Sequence, residues 1–159
     1  MSCESICISL TYADFHGIDV KVAEITNAYL QAPSSEKHFI YCGEEFGLEN
    51  VGKVALIMRA FCGGKAAGRD FWHHLLICIE HLQFQSIKAD PNVWFRSVKR
   101  EDGIPYCEYL LFYTDDCLVI SDNADNILRD EIGKSFKLKE KSIGNPGQYP
   151  GGKIRKVKL

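Results

Sequence analysis

The feature of this sequence that most constrains its fold is a pair of apolar runs separated by only three residues. The runs Tyr-Leu-Leu-Phe-Tyr, at 109–113, and Cys-Leu-Val-Ile-Ser, at 117–121, have the β-branched and aromatic composition of strands. They are connected by Thr114-Asp115-Asp116, and a connection of this length joins two neighbouring antiparallel strands. The sequence therefore predicts a β-hairpin that carries two carboxylates at its tip.

Periodicity elsewhere in the chain predicts a mixed fold. Ser2 or Ser5 can cap the first predicted helix, and Gly17 ends it. Pro33-Ser34-Ser35 is expected to close the unit that the first strand opens. No internal repeat or interdomain linker is evident, so we expect a single α+β domain over residues 1–159. Helices are predicted over residues 5–15, 66–82 and 124–136, and further strands over 19–25, 38–42, 54–58 and 92–98.

Charge is balanced over the whole chain but not along it. The 19 Lys and Arg residues against 21 Asp and Glu residues give a net charge of −2, so no globally basic surface marks a nucleic-acid binder. With 46% hydrophobic residues the chain can fill a core, which excludes disorder along its whole length. Residues 134–159 nevertheless contain a single acid, Glu140. This basic C-terminal segment can contact a nucleic-acid backbone, with an ordinary exposed terminus of the same composition as the alternative. Its basic residues are Lys134, Lys137, Lys139, Lys141, Lys153, Arg155, Lys156 and Lys158.

Cysteine usage and the N-terminus favour an intracellular protein. The seven cysteines are odd in number and include no C-x-x-C pair, so we expect reduced core thiols rather than a disulfide framework. No stretch approaches the ~18 consecutive apolar residues of a membrane span. The first ten residues lack the positive start and small-residue cleavage site of a signal peptide. We therefore expect a cytoplasmic or nuclear location and no membrane partner.

Asp115 and Asp116 are the first candidates for chemistry. Two adjacent carboxylates on a solvated loop can be an ordinary polar turn, and the dipeptide alone leaves this alternative open. A third acid, Glu24, lies on the strand predicted over 19–25. If that strand lies beside the hairpin, three carboxylates converge, and such oxygen-rich sites suit Mg²⁺. Two Mg²⁺ ions can activate a hydroxyl and stabilise the leaving oxygens of an in-line displacement at phosphorus.

Several motifs in a fixed order give the chain a resemblance to a known family. Tyr113-Thr114-Asp115-Asp116 between apolar strands resembles the tyrosine-x-Asp-Asp box of reverse transcriptases. From about Ser5 onward, the chain is similar in motif order and spacing to copia-type retrotransposon reverse transcriptases. The other motifs are Glu24-Ile-Thr-Asn-Ala-Tyr-Leu-Gln-Ala-Pro33, Gly43-Glu-Glu-Phe-Gly47, Phe61-Cys-Gly-Gly-Lys-Ala-Ala-Gly-Arg69, Ala89-Asp-Pro-Asn-Val-Trp94, Leu138-Lys-Glu-Lys-Ser-Ile-Gly144 and Tyr149-Pro-Gly-Gly-Lys-Ile154.

The resemblance implies a right-hand polymerase palm, a small antiparallel sheet with helices packed on one face, without fingers and thumb. It implies that Glu24, Asp115 and Asp116 are the catalytic and metal-binding residues, with Mg²⁺, or Mn²⁺ in its place, as cofactor. Tyr29 falls where the family places the aromatic gate against a ribose 2′-hydroxyl. The implied partners are an RNA template, a DNA primer and deoxynucleoside triphosphates. The implied nucleotide-binding residues are Tyr29, Gly64, Lys65, Arg69 and Tyr113.

One departure from the family pattern bears directly on activity. Glu24 stands where the family has an aspartate, and catalytic groups tolerate misplacement of only ~0.5 Å. We therefore expect a reverse transcriptase domain fragment whose ancestral RNA-directed DNA polymerisation is impaired in this chain. The alternative is a non-catalytic retroelement remnant or a recruited module that binds nucleic acid or protein.

Three other patterns have competing interpretations. Gly63-Gly64-Lys65 opens the long predicted helix, where free backbone N–H groups beside Lys65 and Arg69 favour phosphate, with a plain loop as the alternative. His74, Cys78 and His81 lie at i, i+4 and i+7, a spacing that allows zinc, although solvated histidines beside a core cysteine are the favoured interpretation. Trp72 and Trp94 are expected in the core or at its edge rather than as base-stacking platforms.

Overall fold

The computed structural model describes residues 1–149, 152–155 and 157. Internal contacts divide the chain into two compact units. Residues 1–26 and 77–159 form one, here called the sheet unit, and residues 27–76 form the other, the hairpin unit. The mixed α+β class is confirmed. Within the described part of the chain, no helix combines the length and apolarity needed to cross a membrane.

Helices and strands are interspersed along the chain. The helices are α1 Cys3–His16, α2 Ala28–Gln31 and α3 Ala67–His81, followed by α4 Ala124–Asn126, a π-helix Ile127–Ile132 and α5 Gly133–Ser135. The strands are β1 Val20–Glu24, β2 Pro33–Tyr41, β3 Val54–Arg59, β4 Gln85–Ile87, β5 Asp90–Lys99, β6 Pro105–Tyr113, β7 Asp116–Ile120, β8 Gln148–Tyr149 and β9 Gly152–Lys153.

A five-stranded antiparallel sheet in the order β1-β7-β6-β5-β4 organises the sheet unit. The predicted hairpin is its β6–β7 pair, and its turn is shorter than expected. Tyr113 pairs with Asp116, so that only Thr114 and Asp115 connect the strands. Thr114 adopts a left-handed φ of 56°, as a two-residue hairpin turn requires at a central position. Asp116 therefore belongs to β7, where the register of the sheet fixes the direction of its side chain.

Helical segments lie on both faces of this sheet, which corrects the expectation that helices pack on one face only. Leu111 and Leu118 belong to a buried cluster with Ala13 of α1 on one face. On the opposite face, Arg96 of β5 is ion-paired at 2.7 Å with Glu131 of the π-helix. The reason is the composition of β6 and β7, whose consecutive buried residues point in both directions and so require cover on both sides.

A charged network ties the second face together. The Arg96 guanidinium donates to Glu108 Oε2 at 2.8 Å, to both carboxylate oxygens of Glu131 at 2.7 and 3.0 Å, and to the Leu82 carbonyl at 2.9 Å. Glu108 also accepts from the Ser121 hydroxyl at 2.6 Å. Since a buried charge is tolerated when it is paired and hydrogen-bonded, this network allows an apolar sheet face to carry three charges.

The hairpin unit contains the two-stranded sheet of β2 and β3. The two strands pair from Tyr41 opposite Val54 to Pro33 opposite Arg59, with one irregularity. Asp70, in the first turn of α3, is buried and accepts from the Ser35 backbone N–H at 2.9 Å. This contact anchors the start of β2 to α3.

The predicted helices and strands are present in the structure, but their ends differ from the prediction. Helix α1 begins at Cys3 with Ser2 as its cap and ends at Gly17, as the sequence indicates. The expectation that Pro33-Ser34-Ser35 closes a unit is wrong, because these residues begin β2. Strand β4 was not predicted, since three residues are too few to show a period. The predicted helix over 124–136 is helical, but its middle is a π-helix.

The side chains of the cysteines and tryptophans divide between core and surface. The seven thiols are free, but the expectation of core cysteines is wrong for Cys3, Cys7 and Cys62, which are exposed. Local composition does not reveal this, because the apolar face of α1 is set by what it packs against. Trp94 is buried, and Trp72 is half-buried, as expected of residues in the core and at its edge.

Candidate functional site

Three candidate residues form a row across adjacent strands at one edge of the sheet. Glu24, the last residue of the edge strand β1, lies opposite Asp116, the first residue of β7. Asp116 in turn lies opposite Tyr113, the last residue of β6. Residues directly opposite in antiparallel strands share a face. The register therefore brings two carboxylates and the phenol of a half-exposed tyrosine together on one face.

Asp115 completes the carboxylate cluster from the turn. Its carbonyl accepts from the Ile25 N–H at 2.7 Å, which holds the turn against the end of β1. Partial burial, and then the negative charges of Asp115 and Glu24, raise the pKa of Asp116 above its usual range, while Lys139 acts in the opposite direction. The carboxylates of Asp115 and Glu24 therefore lie near enough to Asp116 to oppose its ionisation.

The outer edge of β1 is covered by residues 137–144, which fix the position of Glu24. The backbone N–H of Glu24 donates to the Ser142 hydroxyl at 2.8 Å, and the Glu24 carbonyl accepts from the Lys139 N–H at 2.9 Å. Isolated bridges pair Val22 with Gly144 and Ile25 with Leu138. This segment therefore holds both the N–H and the carbonyl of the Glu24 main chain.

Lys139 supplies a cation to the cluster. Its Nζ lies 2.7 Å from Glu24 Oε2, and both side chains are partly exposed. The hydrogen bond and charge of Glu24, with the charges of Asp115 and Asp116, raise the pKa of Lys139. One ammonium thus faces three carboxylates, and the local charge remains negative when all four groups are ionised.

The chemistry of these donors fits a hard divalent cation. Carboxylate oxygens are the ligands that Mg²⁺ prefers in proteins, and an unneutralised pair of carboxylates beside Glu24 favours cation binding. In the geometry of residues 1–149, 152–155 and 157, no three His, Cys, Asp or Glu side chains are gathered tightly enough to hold an ion. Glu24 is engaged by Lys139 instead.

The remaining nucleotide-binding candidates belong to the hairpin unit. Tyr29 is half-buried and packs edge-to-face on Phe71, with ring centroids 6.0 Å apart. Gly64 lies in a turn that precedes α3, where a Cβ would come within 3.2 Å of the Phe61 carbonyl. A side chain at this position would crowd that carbonyl, so the turn favours glycine here.

The two basic residues beside that turn differ in their surroundings. Lys65 is exposed. Arg69 donates to the Ser35 hydroxyl at 2.8 Å and lies 3.6 Å from the Asp70 carboxylate. A carboxylate therefore already lies in the first turn of α3, which weakens the attraction of this helix start for phosphate.

In the basic C-terminal segment, Lys153 and Arg155 are exposed. Lys156 and Lys158 of the same segment lie outside the described residues.

The sequence did not reveal Lys139 or Ser142 as site residues. Both follow a helix in a stretch with no recognisable strand, and their contacts with Glu24 span more than a hundred residues of chain. The only sequence signal is their place in the Leu138–Gly144 motif. Comparison with family models and with curated proteins finds no match to this chain. The functional argument therefore depends on the geometry of these residues.

Proposed function

We propose that this chain is a reverse transcriptase domain fragment of copia type whose two-metal nucleotidyl transfer is impaired. The observation that carries the proposal is the register of β1 on β7, which sets Glu24 opposite Asp116 and beside the Asp115 turn. Three acids at one edge of apolar strands repel one another, and this repulsion lowers the stability of the fold. The packing of the strands therefore gives no reason for these acids. A cation-dependent role accounts for them.

In this proposal Asp115, Asp116 and Glu24 hold Mg²⁺ or Mn²⁺. When bound, the ions would activate the 3′-hydroxyl of a primer and stabilise charge on the departing pyrophosphate of a deoxynucleoside triphosphate. Asp116 contributes a carboxylate whose direction is fixed by β7, and Asp115 contributes one from a turn tied to Ile25. Tyr113 supplies a half-exposed aromatic wall next to Asp116.

Glu24 is the reason for expecting impairment. Its main chain is clamped by Ser142 and Lys139, so the extra methylene relative to aspartate cannot be absorbed by a shift of the strand. The carboxylate instead reaches Lys139 Nζ at 2.7 Å. An ion held by Asp115 and Asp116 would then lack its third carboxylate at the distance that aspartate provides.

The same ion pair supports a second candidate function, a non-catalytic module that keeps the inherited surface. In such a module Lys139 serves as the permanent counterion of the cluster, and nucleic acid or protein binds elsewhere. The two candidates differ in whether Asp115 and Asp116 bind a divalent cation.

Primer extension and Mn²⁺ binding together test the proposal. Purified chain is given a primed poly-ribonucleotide template, deoxynucleoside triphosphate and Mg²⁺ or Mn²⁺, and Mn²⁺ binding is followed separately by electron paramagnetic resonance. We expect no detectable extension by the unmodified chain. We expect Mn²⁺ binding that is lost in Asp115→Asn and tightened in Glu24→Asp.

Asp130→Asn is the matched control, because it removes an exposed carboxylate outside the cluster. Mn²⁺ affinity that falls equally in Asp115→Asn and Asp130→Asn would refute the metal site and favour the non-catalytic module. Robust extension by the unmodified chain would contradict the impairment assigned to Glu24.

A further inference from the structure

Two exposed cysteines share one face of α1. Cys3 and Cys7 are four residues apart in Cys3–His16, so their side chains lie one above the other on the helix. Both are exposed, and the neighbouring Cys7 thiol raises the pKa of Cys3. Cys62, the third exposed cysteine, lies in the hairpin unit.

The i and i+4 positions of the two cysteines on α1 suit a soft cation. Two metal–sulfur bonds of about 2.3 Å each reach across at most ~4.6 Å, which side chains at i and i+4 of a helix can span. A disulfide is disfavoured there, because it needs Cβ atoms ~3.8 Å apart, whereas i and i+4 Cβ atoms on a helix lie about 5–6 Å apart. The pair is thus better placed to hold an ion between its sulfurs than to join them.

We propose that Cys3 and Cys7 form a binding site for Cu(I). Thiolates are soft ligands that select Cu(I), and this ion is stable with two thiolates in a linear arrangement. Structural Zn²⁺ takes four ligands, and no third His, Cys, Asp or Glu joins these two sulfurs among residues 1–149, 152–155 and 157. On binding, each thiol loses its proton to solvent, two S–Cu bonds form, and the copper stays in the Cu(I) state.

Competition with the Cu(I) complex of bicinchoninate, under anaerobic conditions with ascorbate present, tests the site in the full chain. We expect the unmodified chain to withdraw one equivalent of Cu(I), read as lost absorbance of the bicinchoninate complex. Cys3→Ser and Cys7→Ser should each abolish this withdrawal, and Cys62→Ser should leave it unchanged. Far-ultraviolet circular dichroism shows whether each variant keeps its fold, as expected for exposed positions.

A matched variant separates the paired geometry from the number of thiols. Cys7→Ser/Ile8→Cys keeps seven cysteines and moves one thiol to the neighbouring position of the same helix, where Ile8 is 70% exposed. We expect this variant to lose the withdrawal. The proposal would be overturned if Cys7→Ser/Ile8→Cys withdrew as much Cu(I) as the unmodified chain. It would also be overturned if the double variant Cys3→Ser/Cys7→Ser still withdrew Cu(I).

Discussion

Replacing Arg96 by methionine tests how strongly one guanidinium holds the sheet unit together. The substitution keeps an unbranched side chain that can still cover Phe84, whose ring the guanidinium overlies at 4.3 Å. It removes the four hydrogen bonds to Glu108, Glu131 and the Leu82 carbonyl. Glu108, with its side chain only 5% exposed, is then left with the neutral donors Ser121 and Tyr106.

The expected loss of stability follows from this burial. Breaking a buried ion pair by removing one partner costs about 3–5 kcal/mol, because the remaining charge is uncompensated. Glu131 is 22% exposed and keeps partial hydration, so we expect a value near the lower end, about 3 kcal/mol. That is a large share of the roughly 5–15 kcal/mol by which domains of this size are stable.

Urea unfolding followed by circular dichroism measures this loss. Arg96→Met should lower the midpoint without changing the slope, and Arg96→Met/Glu108→Gln should recover most of the loss, since it removes the orphaned charge. A loss below ~1 kcal/mol, or no recovery in the double variant, would refute this account of the network.

Four further outcomes are expected. Asp116→Asn should stabilise the chain at neutral pH, because the pKa of Asp116 is raised in the folded state. This gain in stability should disappear as pH falls below 3.8, the ordinary pKa of an aspartate. A gain that persisted below that pH would contradict the electrostatic cause. Folding raises the pKa of Lys139, so Lys139→Gln should remove a stabilisation that is complete below pH 10.5 and is lost as pH rises above that value. The same substitution should tighten Mn²⁺ binding. Weaker Mn²⁺ binding would show that Lys139 does not compete with the ion. Thr114→Gly should raise the urea midpoint by relieving a left-handed φ that costs a non-glycine residue ~1–2 kcal/mol, and a lowered midpoint would show that the threonine side chain stabilises the turn. Binding of a labelled RNA–DNA hybrid should be weak and salt-sensitive, and Lys65→Ala should flatten the dependence of log K on log salt by ~0.9 if Lys65 makes one phosphate contact.

The sequence alone determined the elements whose signals are local. The short connection between two apolar runs identified the β6–β7 hairpin. A serine before its first turn and a glycine after its last turn identified helix α1. The acids of the candidate site were also identified from sequence, because Asp115 and Asp116 lie at a turn and Glu24 lies on an alternating strand. Strand β4 and the π-helix were missed, because three residues show no period and a π-turn has no side-chain pattern of its own.

Only the tertiary structure decided which of these residues meet. The pairing of β1 with β7 sets Glu24 opposite Asp116, and the return of residues 137–144 along β1 brings Lys139 to the same carboxylate. The exposure of Cys3 and Cys7 was decided by which face of α1 packs on the sheet. Periodicity reports only that a strand or helix has a buried side. Which partner covers that side depends on pairings between segments far apart in the chain, whose closure depends on the packing of the whole unit.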